Sequence, residues 1–444
     1  MKVIIIGGIA AGMSAAAKLR RADREAEIIV YEKQDYISFG ACGLPYYVGD
    51  YFEDKERMIV RTKEQMEQMG IHVCLQHEVL NVDPDKKCVL VKDLVNQTTS
   101  EETYDRLLVA SGARAVIPPF ENGNLNNIHV LRSLEDGEQV KRLFLDEKIK
   151  KVGIIGAGFI GLEVVEAAKK LGKEVHVFQV RDRILPGVFD AEVTQILEEE
   201  LKNEGVHLYL NTMVTGFFGA TVVEKVITKE FGVEVDAVII SAGVKPNTEF
   251  ILGTGIDCLD NGAIIIDEEG RTSIPDIYAA GDCATVPHRL KKEPAYLPLA
   301  TTANKLGRIV GENLAGGHVR FEGTLGSSCI KLLGMEAGRT GLTEEEANKL
   351  KIPVKTSFIT DKNHTDYYPG QESVSIKLVY EAETKKILGG QIVGKDGAVL
   401  RTDVLAAMIY GEMTTKQLGM LDLCYSPPFA RTWDVLNIAG NAAK

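Results

Sequence analysis

Two stretches of the chain decide its fold: residues 2–18 (KVIIIGGIAAGMSAAAK) and residues 151–169 (KVGIIGAGFIGLEVVEAAK). Each contains a basic residue, an apolar run, a glycine turn and a run rich in small residues, a pattern that predicts a strand, a tight turn and a helix. A second apolar run follows each of them, at residues 27–32 and 174–179. The sequence therefore predicts an α/β protein with two βαβ units, and hence two nucleotide sites.

The two glycine turns match the dinucleotide fingerprint to different degrees. Residues 156–161 (GAGFIG) fit G-x-G-x-x-G fully, whereas residues 7–12 (GGIAAG) keep only the outer glycines. Glu32 strengthens the first match, because it lies twenty residues beyond Gly12, where a carboxylate is expected to accept ribose hydroxyls. An ordinary tight connection between a strand and a helix is the alternative for either turn. The presence of the pair argues against that alternative.

The second unit has no acidic residue at the position equivalent to Glu32. Gln179 stands there, and Arg181 follows two residues later. A carboxylate would repel the 2′-phosphate of NADPH, so its absence admits NADPH as well as NADH. Arg181 has the alternative role of a solvated loop residue, and the preference between the two cofactors stays open.

The rest of the chain returns to the first domain and then changes pattern. Residues 103–113 and 275–284 each predict a strand that ends at a glycine turn, residues 237–247 close the second unit in the same manner, and residues 300–314 predict a helix. From about residue 323, alternating strands and helices continue without a phosphate turn, which indicates a separate α+β module. The predicted domains are 1–117 with 246–322, then 118–245, and finally 323–444.

A lone cysteine, Cys42, stands in the glycine-flanked segment 38–47 (SFGACGLPYY) just after the first unit's second strand. The next cysteine is Cys74, 32 residues later, so no CxxC or CxxxxC pair is available. A reactive Cys42 must therefore find its sulfur partner outside the chain. The alternative is a buried, inert cysteine.

Composition excludes several function classes. The 444 residues carry a formal net charge of −12, which argues against nucleic-acid or anionic-membrane binding. The seven scattered cysteines and eight dispersed histidines have no metal-ligand spacing, so we expect neither a metal site nor a disulfide framework, but a reducing, cytoplasmic location. The N-terminal apolar run is too short for a signal peptide, and no segment approaches 18 uninterrupted apolar residues.

Taken together, these motifs resemble the pyridine nucleotide-disulfide oxidoreductases, which have FAD, NAD(P) and C-terminal dimerisation domains. The resemblance covers the whole chain and rests on both glycine turns, Glu32, Ser111-Gly112 and Ala280-Gly281-Asp282. It implies two glutathione-reductase-like nucleotide-binding domains, a homodimer, and FAD and NADPH or NADH as cofactors. The candidate cofactor-binding residues are Gly7, Ala10, Ala11, Gly12, Glu32, Lys33, Val79, Ser111, Gly112, Asp282, Ala300, Gly156, Gly158, Phe159, Ile160, Gly161, Gln179, Arg181 and Gly243.

Within that family, a single cysteine in an SFxxCG context is similar to the branch of NADH peroxidases, NADH oxidases and coenzyme A-disulfide reductases. The first two groups have a histidine in the first turn where this chain has Ala10. Residues 43–47 (GLPYY), Tyr367 and Tyr425 instead resemble the Bacillus-type coenzyme A-disulfide reductases, which present two such tyrosines from the opposite subunit. Because the sequence ends at Lys444, we do not expect the C-terminal rhodanese domain of some persulfide-reducing relatives.

The resemblance implies a catalytic cycle in which Cys42 forms a mixed disulfide with coenzyme A (CoA). Tyr367 and Tyr425 would then donate to the departing CoA thiolate, although interface packing is the alternative role of both. Three other functions stay open: an NADH oxidase or peroxidase with a Cys42 sulfenate, a persulfide or polysulfide reductase, and a redox-sensing binding protein. The candidate residues for CoA are Lys18, Arg21, Ser38, Asn304, Lys305 and Arg431.

Overall fold

Both βαβ units predicted from the glycine turns are present in the computed structural model, which describes all 444 residues. In each unit the apolar run forms a strand, the glycine turn follows it, and the run of small residues forms a helix. The strands are buried on both faces, as expected for parallel sheets covered by helices.

The strands are, in chain order, β1 (Lys2–Ile6), β2 (Glu27–Tyr31), β3 (Ile71–Cys74), β4 (His77–Asp83), β5 (Cys88–Asp93), β6 (Thr98–Thr103), β7 (Arg106–Val109), β8 (Ala113–Ala115), β9 (Ile128–His129), β10 (Lys151–Ile155), β11 (Glu174–Phe178), β12 (His207–Tyr209), β13 (Val214–Phe218), β14 (Lys225–Thr228), β15 (Gly232–Glu234), β16 (Ala237–Ile240), β17 (Val244–Pro246), β18 (Ile277–Ala279), β19 (Val286–Pro287), β20 (Pro294–Ala295), β21 (Ser328–Leu332), β22 (Met335–Gly341), β23 (Val354–Lys362), β24 (Ser373–Glu381) and β25 (Ile387–Gly394).

The α-helices are α1 (Ala10–Ala22), α2 (Leu44–Val48), α3 (Lys63–Glu67), α4 (Leu134–Leu145), α5 (Phe159–Lys170), α6 (Ala191–Asn203), α7 (Ala300–Asn313), α8 (Glu344–Lys349), α9 (Ala398–Tyr410), α10 (Thr415–Gly419) and α11 (Val435–Ala442). Short 3₁₀ helices cover Ala41–Gly43, Lys55–Met58 and Glu249–Ile251.

The chain divides into two compact units. The first comprises residues 1–44, 52–116 and 244–324, and the second comprises residues 45–51, 117–243 and 325–444. The predicted division into three domains stays a prediction.

The first unit is built on a five-stranded parallel sheet with the order β18-β7-β1-β2-β3. Helices α1 and α7 pack closely against each other, since a Cβ atom added at Gly307 would lie 2.5 Å from the carbonyl oxygen of Ala11. An antiparallel meander, β4-β5-β6, also belongs to this unit. That meander was not predicted from the sequence.

The second unit contains a five-stranded parallel sheet with the order β12-β11-β10-β16-β9 and a small antiparallel sheet, β13-β14-β15. Its C-terminal part is a five-stranded antiparallel sheet with the order β21-β22-β25-β24-β23. Helix α9 packs on β22 and β25, and α11 packs on β23 and β24. The predicted α+β character of the tail is thereby confirmed.

Among the helices of the structure, none combines the length and the apolar character that a membrane crossing requires.

Candidate active site

The first glycine turn leaves no room for side chains at its outer positions. Gly7 has a φ of +104°, and a Cβ atom added there would lie 2.2 Å from the carbonyl oxygen of Ala110. A Cβ atom added at Gly12 would lie 1.9 Å from the carbonyl oxygen of Gly7. Both distances are below any van der Waals contact, so only glycine allows α1 to begin this close to the sheet. Ala10 and Ala11 begin that helix.

Glu32 lies at the end of β2, buried beside this turn. The N–H group of Gly8 donates to its Oε2 atom at 2.6 Å, and the N–H group of Gln34 donates to its Oε1 atom at 2.9 Å. Burial raises the pKa of the carboxyl group. Because each carboxylate oxygen has lone pairs to spare, Glu32 can still accept ribose hydroxyls. The glycine cradle and this carboxylate fit the adenosine diphosphate part of FAD.

Other predicted cofactor residues of the first unit lie where its strands end. The Ser111 hydroxyl donates to the carbonyl oxygen of Asn247 at 2.6 Å, and Gly112 has a φ of +68°. Asp282 follows β18, and its carbonyl oxygen accepts from the Tyr296 hydroxyl. Three more candidates are Val79, buried in β4, Lys33, ion-paired with Glu78, and Ala300, exposed at the start of α7.

The segment that carries Cys42 is hydrogen-bonded to the first glycine turn. The N–H group of Ser38 donates to the carbonyl oxygen of Gly8 at 2.8 Å, four residues before the cysteine. Gly40 donates to the carbonyl oxygen of Met58, which holds the segment from its other side. Cys42 itself is exposed in the 3₁₀ turn Ala41–Gly43. The exposed thiol therefore belongs to the same unit as the glycine cradle, and the buried-cysteine alternative is wrong.

A short helix follows Cys42. Helix α2 spans five residues and begins two residues after the cysteine. A dipole built from so few peptide units stabilises a thiolate only weakly. The other cysteines form no disulfide. Among them Cys283 is fully buried, and its burial raises the pKa of the thiol to about 11, so that it is inert at neutral pH.

The second glycine turn repeats the geometry of the first. Gly156 has a φ of +105°, and a Cβ atom added at Gly161 would lie 2.1 Å from the carbonyl oxygen of Gly156. At Gly158, by contrast, an added Cβ atom would meet nothing within 4 Å. The Ser241 hydroxyl donates to the carbonyl oxygen of Gly156 at 3.0 Å. Ser241 was not predicted from the sequence; it directly follows β16, in the position that Ala110 has after β7 in the first unit.

Five further NAD(P)H candidates lie around this turn or at the strand ends. Phe159 and Ile160 are half-buried at the start of α5, and Gly243 is exposed with a φ of +111°. The side chain of Gln179 is buried, and its amide nitrogen donates to the carbonyl oxygen of Arg183. Arg181 is exposed. This cradle fits a dinucleotide and places no carboxylate at the position of Gln179.

Helix α5 carries an acidic residue, Glu163, that was not predicted from the sequence as a site residue. Burial of Glu163, together with the charge of Glu166, raises the pKa of the Glu163 carboxyl group to about 7. Glu166 is occupied, since it accepts from the Tyr51 hydroxyl and from the N–H group of Leu333. The i, i+3 spacing of two glutamates on a helix that begins at a glycine turn was the available signal.

We expect Glu163→Gln to stabilise the protein at high pH only. In the unfolded chain Glu163 ionises near its ordinary pKa of 4.5, but in the folded protein it ionises near 7. Stability is therefore lost as the pH rises between these values, by about 3 kcal/mol in total. Urea denaturation should give equal midpoints for both proteins at pH 4.5 and a higher midpoint for the variant at pH 8. The exposed Glu147→Gln is the matched control, and an equal gain at both pH values would contradict the assignment.

The two predicted catalytic tyrosines lie next to each other, although 58 residues separate them. Their hydroxyl groups are 3.1 Å apart, and this hydrogen bond raises the pKa of Tyr425. Both rings are exposed, Tyr367 by 71% and Tyr425 by 44%. The pair therefore presents two hydroxyl groups at the surface of the second unit.

Arg401 holds the two tyrosine loops together, and sequence reasoning missed it. One of its terminal nitrogens, Nη2, donates to the carbonyl oxygens of Asn363 and Phe429, at 3.0 and 3.1 Å. The same nitrogen pairs with the buried carboxylate of Asp434 at 2.8 Å. One guanidinium group thus fixes segments on both sides of the tyrosine pair.

Arg401→Ala should destabilise the protein by about 3 kcal/mol, because it leaves the carboxylate of Asp434 buried without its charged partner. Urea denaturation measures this loss. Lys386→Ala removes a solvent-exposed ion pair from the same unit and should change little. Equal stabilities of the two variants would contradict the role of Arg401.

The candidate CoA residues have varied surroundings. Lys18 pairs with Glu312 at 2.5 Å, and Asn304 accepts from the Ser14 hydroxyl at 2.8 Å, so both lie where α1 meets α7. Arg21 and Lys305 are exposed on those same two helices. Arg431 pairs with Asp361 in the second unit, apart from the others in the chain. The roles of these residues stay predictions.

The sequence matches two family models along nearly its whole length. Residues 1–307 match the model of the pyridine nucleotide-disulphide oxidoreductases. The chain belongs to this family. Residues 328–435 match the family's dimerisation domain. This pyridine nucleotide-disulphide oxidoreductase therefore uses FAD and NAD(P)H, as its two glycine cradles predicted.

Relatives with different named activities are similar to this oxidoreductase. A NAD(P)H coenzyme A polysulfide/persulfide reductase of Pyrococcus horikoshii is 37% identical, with 100% of this chain and 98% of the relative covered. An NADH oxidase of Enterococcus faecalis is 35% identical, with 100% and 99% covered. A coenzyme A disulfide reductase of Staphylococcus aureus is 31% identical, with both chains fully covered.

Among solved structures, reduced Bacillus anthracis CoADR-RHD superposes with a TM-score of 0.95 at 32% identity, covering 99% of this chain and 79% of the other. The oxidoreductase thus belongs to the group that includes coenzyme A disulfide reductases, CoA-dependent polysulfide reductases and NADH oxidases.

Proposed function

We propose that this flavoprotein reduces CoA disulfide to two CoA thiols with electrons from NAD(P)H, through a mixed disulfide between Cys42 and CoA. The observation that carries the proposal is the exposed Cys42 thiol, held by Ser38 next to the first glycine turn. Its segment contains no second cysteine, so an intramolecular disulfide is not the resting oxidised state. A small-molecule thiol takes that place.

The reaction balances in two steps. Bound FAD supplies two-electron transfer from NAD(P)H to the sulfur centre. Two electrons cleave the Cys42–S–S–CoA bond and release one CoA thiolate and the Cys42 thiolate. The Cys42 thiolate then attacks CoA disulfide, which forms the mixed disulfide again and expels a second CoA thiolate. In sum, NAD(P)H, one proton and CoA disulfide give NAD(P)⁺ and two CoA thiols.

Tyr367 and Tyr425 are suited to the leaving group of this reaction. A thiolate leaves faster when its charge is stabilised, and phenolic hydroxyl groups can donate hydrogen bonds or a proton to it. We assign this role to the tyrosines of a second copy of the chain, as the match to a dimerisation domain supports. Exposed Phe429 and Trp433 lie in the same part of the chain and suit such a contact.

Basic side chains on helices α1 and α7 support the assignment of CoA as the ligand. The phosphates of CoA need basic groups, and the protein as a whole is acidic. Lys18, Arg21 and Lys305 provide positive charge on two adjoining helices, with Ser38 and Asn304 as polar neighbours in the same unit. The Lys18–Glu312 ion pair has to open for Lys18 to bind a phosphate.

Two alternatives use the same thiol. Reduction of persulfides or polysulfides is favoured by the 37% identity to the Pyrococcus horikoshii enzyme. An NADH oxidase or peroxidase would carry a Cys42 sulfenate. Ala10 argues against this alternative, because the oxidases and peroxidases that the chain resembles have a histidine at that position of the first glycine turn. A cytoplasmic location, inferred from the cysteines, stays a prediction.

The mass of the untreated intact protein tests the proposal most directly. We expect an adduct of one CoA that is lost on reduction, together with NAD(P)H-dependent release of free thiol from CoA disulfide. Release of sulfide from polysulfide at a far higher rate would favour the first alternative. Consumption of oxygen or peroxide by a protein that carries one extra oxygen atom on Cys42 would favour the second.

A further inference from the structure

Two histidines and a glutamate converge at one edge of the parallel sheet in the second unit. The Nε2 atom of His176 lies 3.0 Å from the Oε1 atom of Glu174, and the Nε2 atom of His207 lies 3.6 Å from the same oxygen. One potential ligand atom from each of the three residues lies within 4.8 Å of the other two. None of the three residues belongs to the site described above.

The sheet register explains why these residues meet. Glu174 and His176 are two residues apart on β11, so their side chains point to the same face. His176 pairs with His207 on the parallel strand β12, which places the two rings side by side. Their centroids are 4.5 Å apart and the ring planes differ by 12°. The backbone itself therefore holds the three side chains together.

The donor set is that of a transition-metal site. Imidazole and carboxylate groups bind Zn²⁺ at about 2.0–2.2 Å, which puts neighbouring ligand atoms of a tetrahedral site about 3.3 Å apart. Both distances to Glu174 are close to that value. The His207 ring is half-exposed, so it can rotate to bring its ligand nitrogen closer to that of His176. Glu174 is also half-exposed, so solvent can reach the fourth position.

The surroundings of His176 suit a metal ligand. Its ring is buried, and the Tyr209 hydroxyl lies 3.3 Å from its Nδ1 atom. In metal sites a hydrogen-bond partner at the second ring nitrogen fixes the orientation of the ligating histidine. When the proton is on Nδ1 and directed at Tyr209, the Nε2 lone pair is available to a metal.

We propose that Glu174, His176 and His207 bind a divalent first-row transition-metal ion, with Zn²⁺ as the ion to test. The ion would bridge β11 and β12. Strand β12 is a three-residue strand at the edge of its sheet, so this bridge would hold an edge that few backbone hydrogen bonds secure. Since Glu174 begins β11 and Gln179 follows its end, the metal stands at the far end of the strand from the nucleotide site.

The positive charge of Lys151 lies near the proposed site and partly opposes the binding of a cation. Lys151 pairs with Glu174 in the sheet register, and its charge is felt at His176. The Lys151 ammonium group lies 3.6 Å from a carboxylate oxygen of Glu234, which offsets part of its positive charge. Glu234 is thus a nearby carboxylate outside the proposed ligand set.

Zn²⁺ titration of the purified holoenzyme, with backbone hydrogen exchange as a second measurement, tests the site. Zn²⁺ should slow amide exchange at residues 207–209 in the unaltered protein. His207→Ala, which removes a half-exposed side chain and should fold, should lose both this protection and one equivalent of bound Zn²⁺. Tyr209→Phe should weaken binding by about 10-fold, through loss of the partner of His176.

The exposed cysteines can also bind Zn²⁺, so localisation decides the outcome. Glu234→Gln and Cys42→Ser should both keep the protection of residues 207–209. If His207→Ala retained the same protection and the same number of bound ions as the unaltered protein, the proposal would be overturned. The two rings would then be a packing stack only.

Discussion

Cys42→Ser should reduce NAD(P)H-dependent turnover of CoA disulfide by at least about 10³-fold, equivalent to about 4 kcal/mol of transition-state stabilisation. The hydroxyl group of serine is scarcely ionised at neutral pH and forms no stable bond to a disulfide sulfur. The glycine cradles are untouched by the substitution. FAD content and the first reduction of FAD by NAD(P)H, followed by rapid mixing, should therefore stay normal.

The Cys424→Ser variant provides the matched control for this prediction. Cys424 is also exposed and precedes Tyr425, but it has no part in the proposed cycle. Its turnover should stay within about two-fold of the unaltered protein, a change of under 0.5 kcal/mol. Normal CoA-disulfide turnover in the Cys42→Ser variant would refute the mixed-disulfide cycle. Loss of FAD from that variant would show that the substitution had disturbed the cradle instead.

Gly12→Ala and Gly161→Ala should each impair the binding of a different nucleotide cofactor. A Cβ atom at either position would lie about as close to a carbonyl oxygen, 1.9 Å at Gly12 and 2.1 Å at Gly161, so the helix start must move. Displacements of about 1 Å can cost about 100-fold in a positioned site. We expect Gly12→Ala to lose FAD on purification. Gly161→Ala should keep FAD, but half-maximal reduction of that FAD should need an NAD(P)H concentration about 100-fold higher.

Each of these variants is the control for the other, and Gly158→Ala adds a third comparison. An added Cβ atom at Gly158 meets no protein atom, and its φ is an ordinary −85°. Any weakening of NAD(P)H binding in that variant comes from contact with the ligand rather than from strain in the protein. FAD content and the NAD(P)H dependence of FAD reduction are the two measurements. Loss of FAD from Gly161→Ala alone would reverse the assignment of the cradles.

The sequence was sufficient where the structural requirement is local. A chain that turns from a buried strand directly into a helix needs glycine at Gly7, Gly12, Gly156 and Gly161, because backbone atoms occupy the space of a side chain. The two βαβ units were therefore predictable, as was helix α7. The small antiparallel sheets were missed, since their short strands have weaker periodicity.

The sequence alone determined the two dinucleotide cradles and placed an isolated cysteine, Cys42, close after the first βαβ unit. Only the tertiary structure decided which distant side chains meet: Tyr367 with Tyr425, Arg401 with both tyrosine loops, Lys18 with Glu312, and His176 with His207. It also decided the protonation of Glu163, which depends on burial. Glycine turns are set by neighbouring peptide units, whereas pairing and burial depend on how strands and helices far apart in the chain pack.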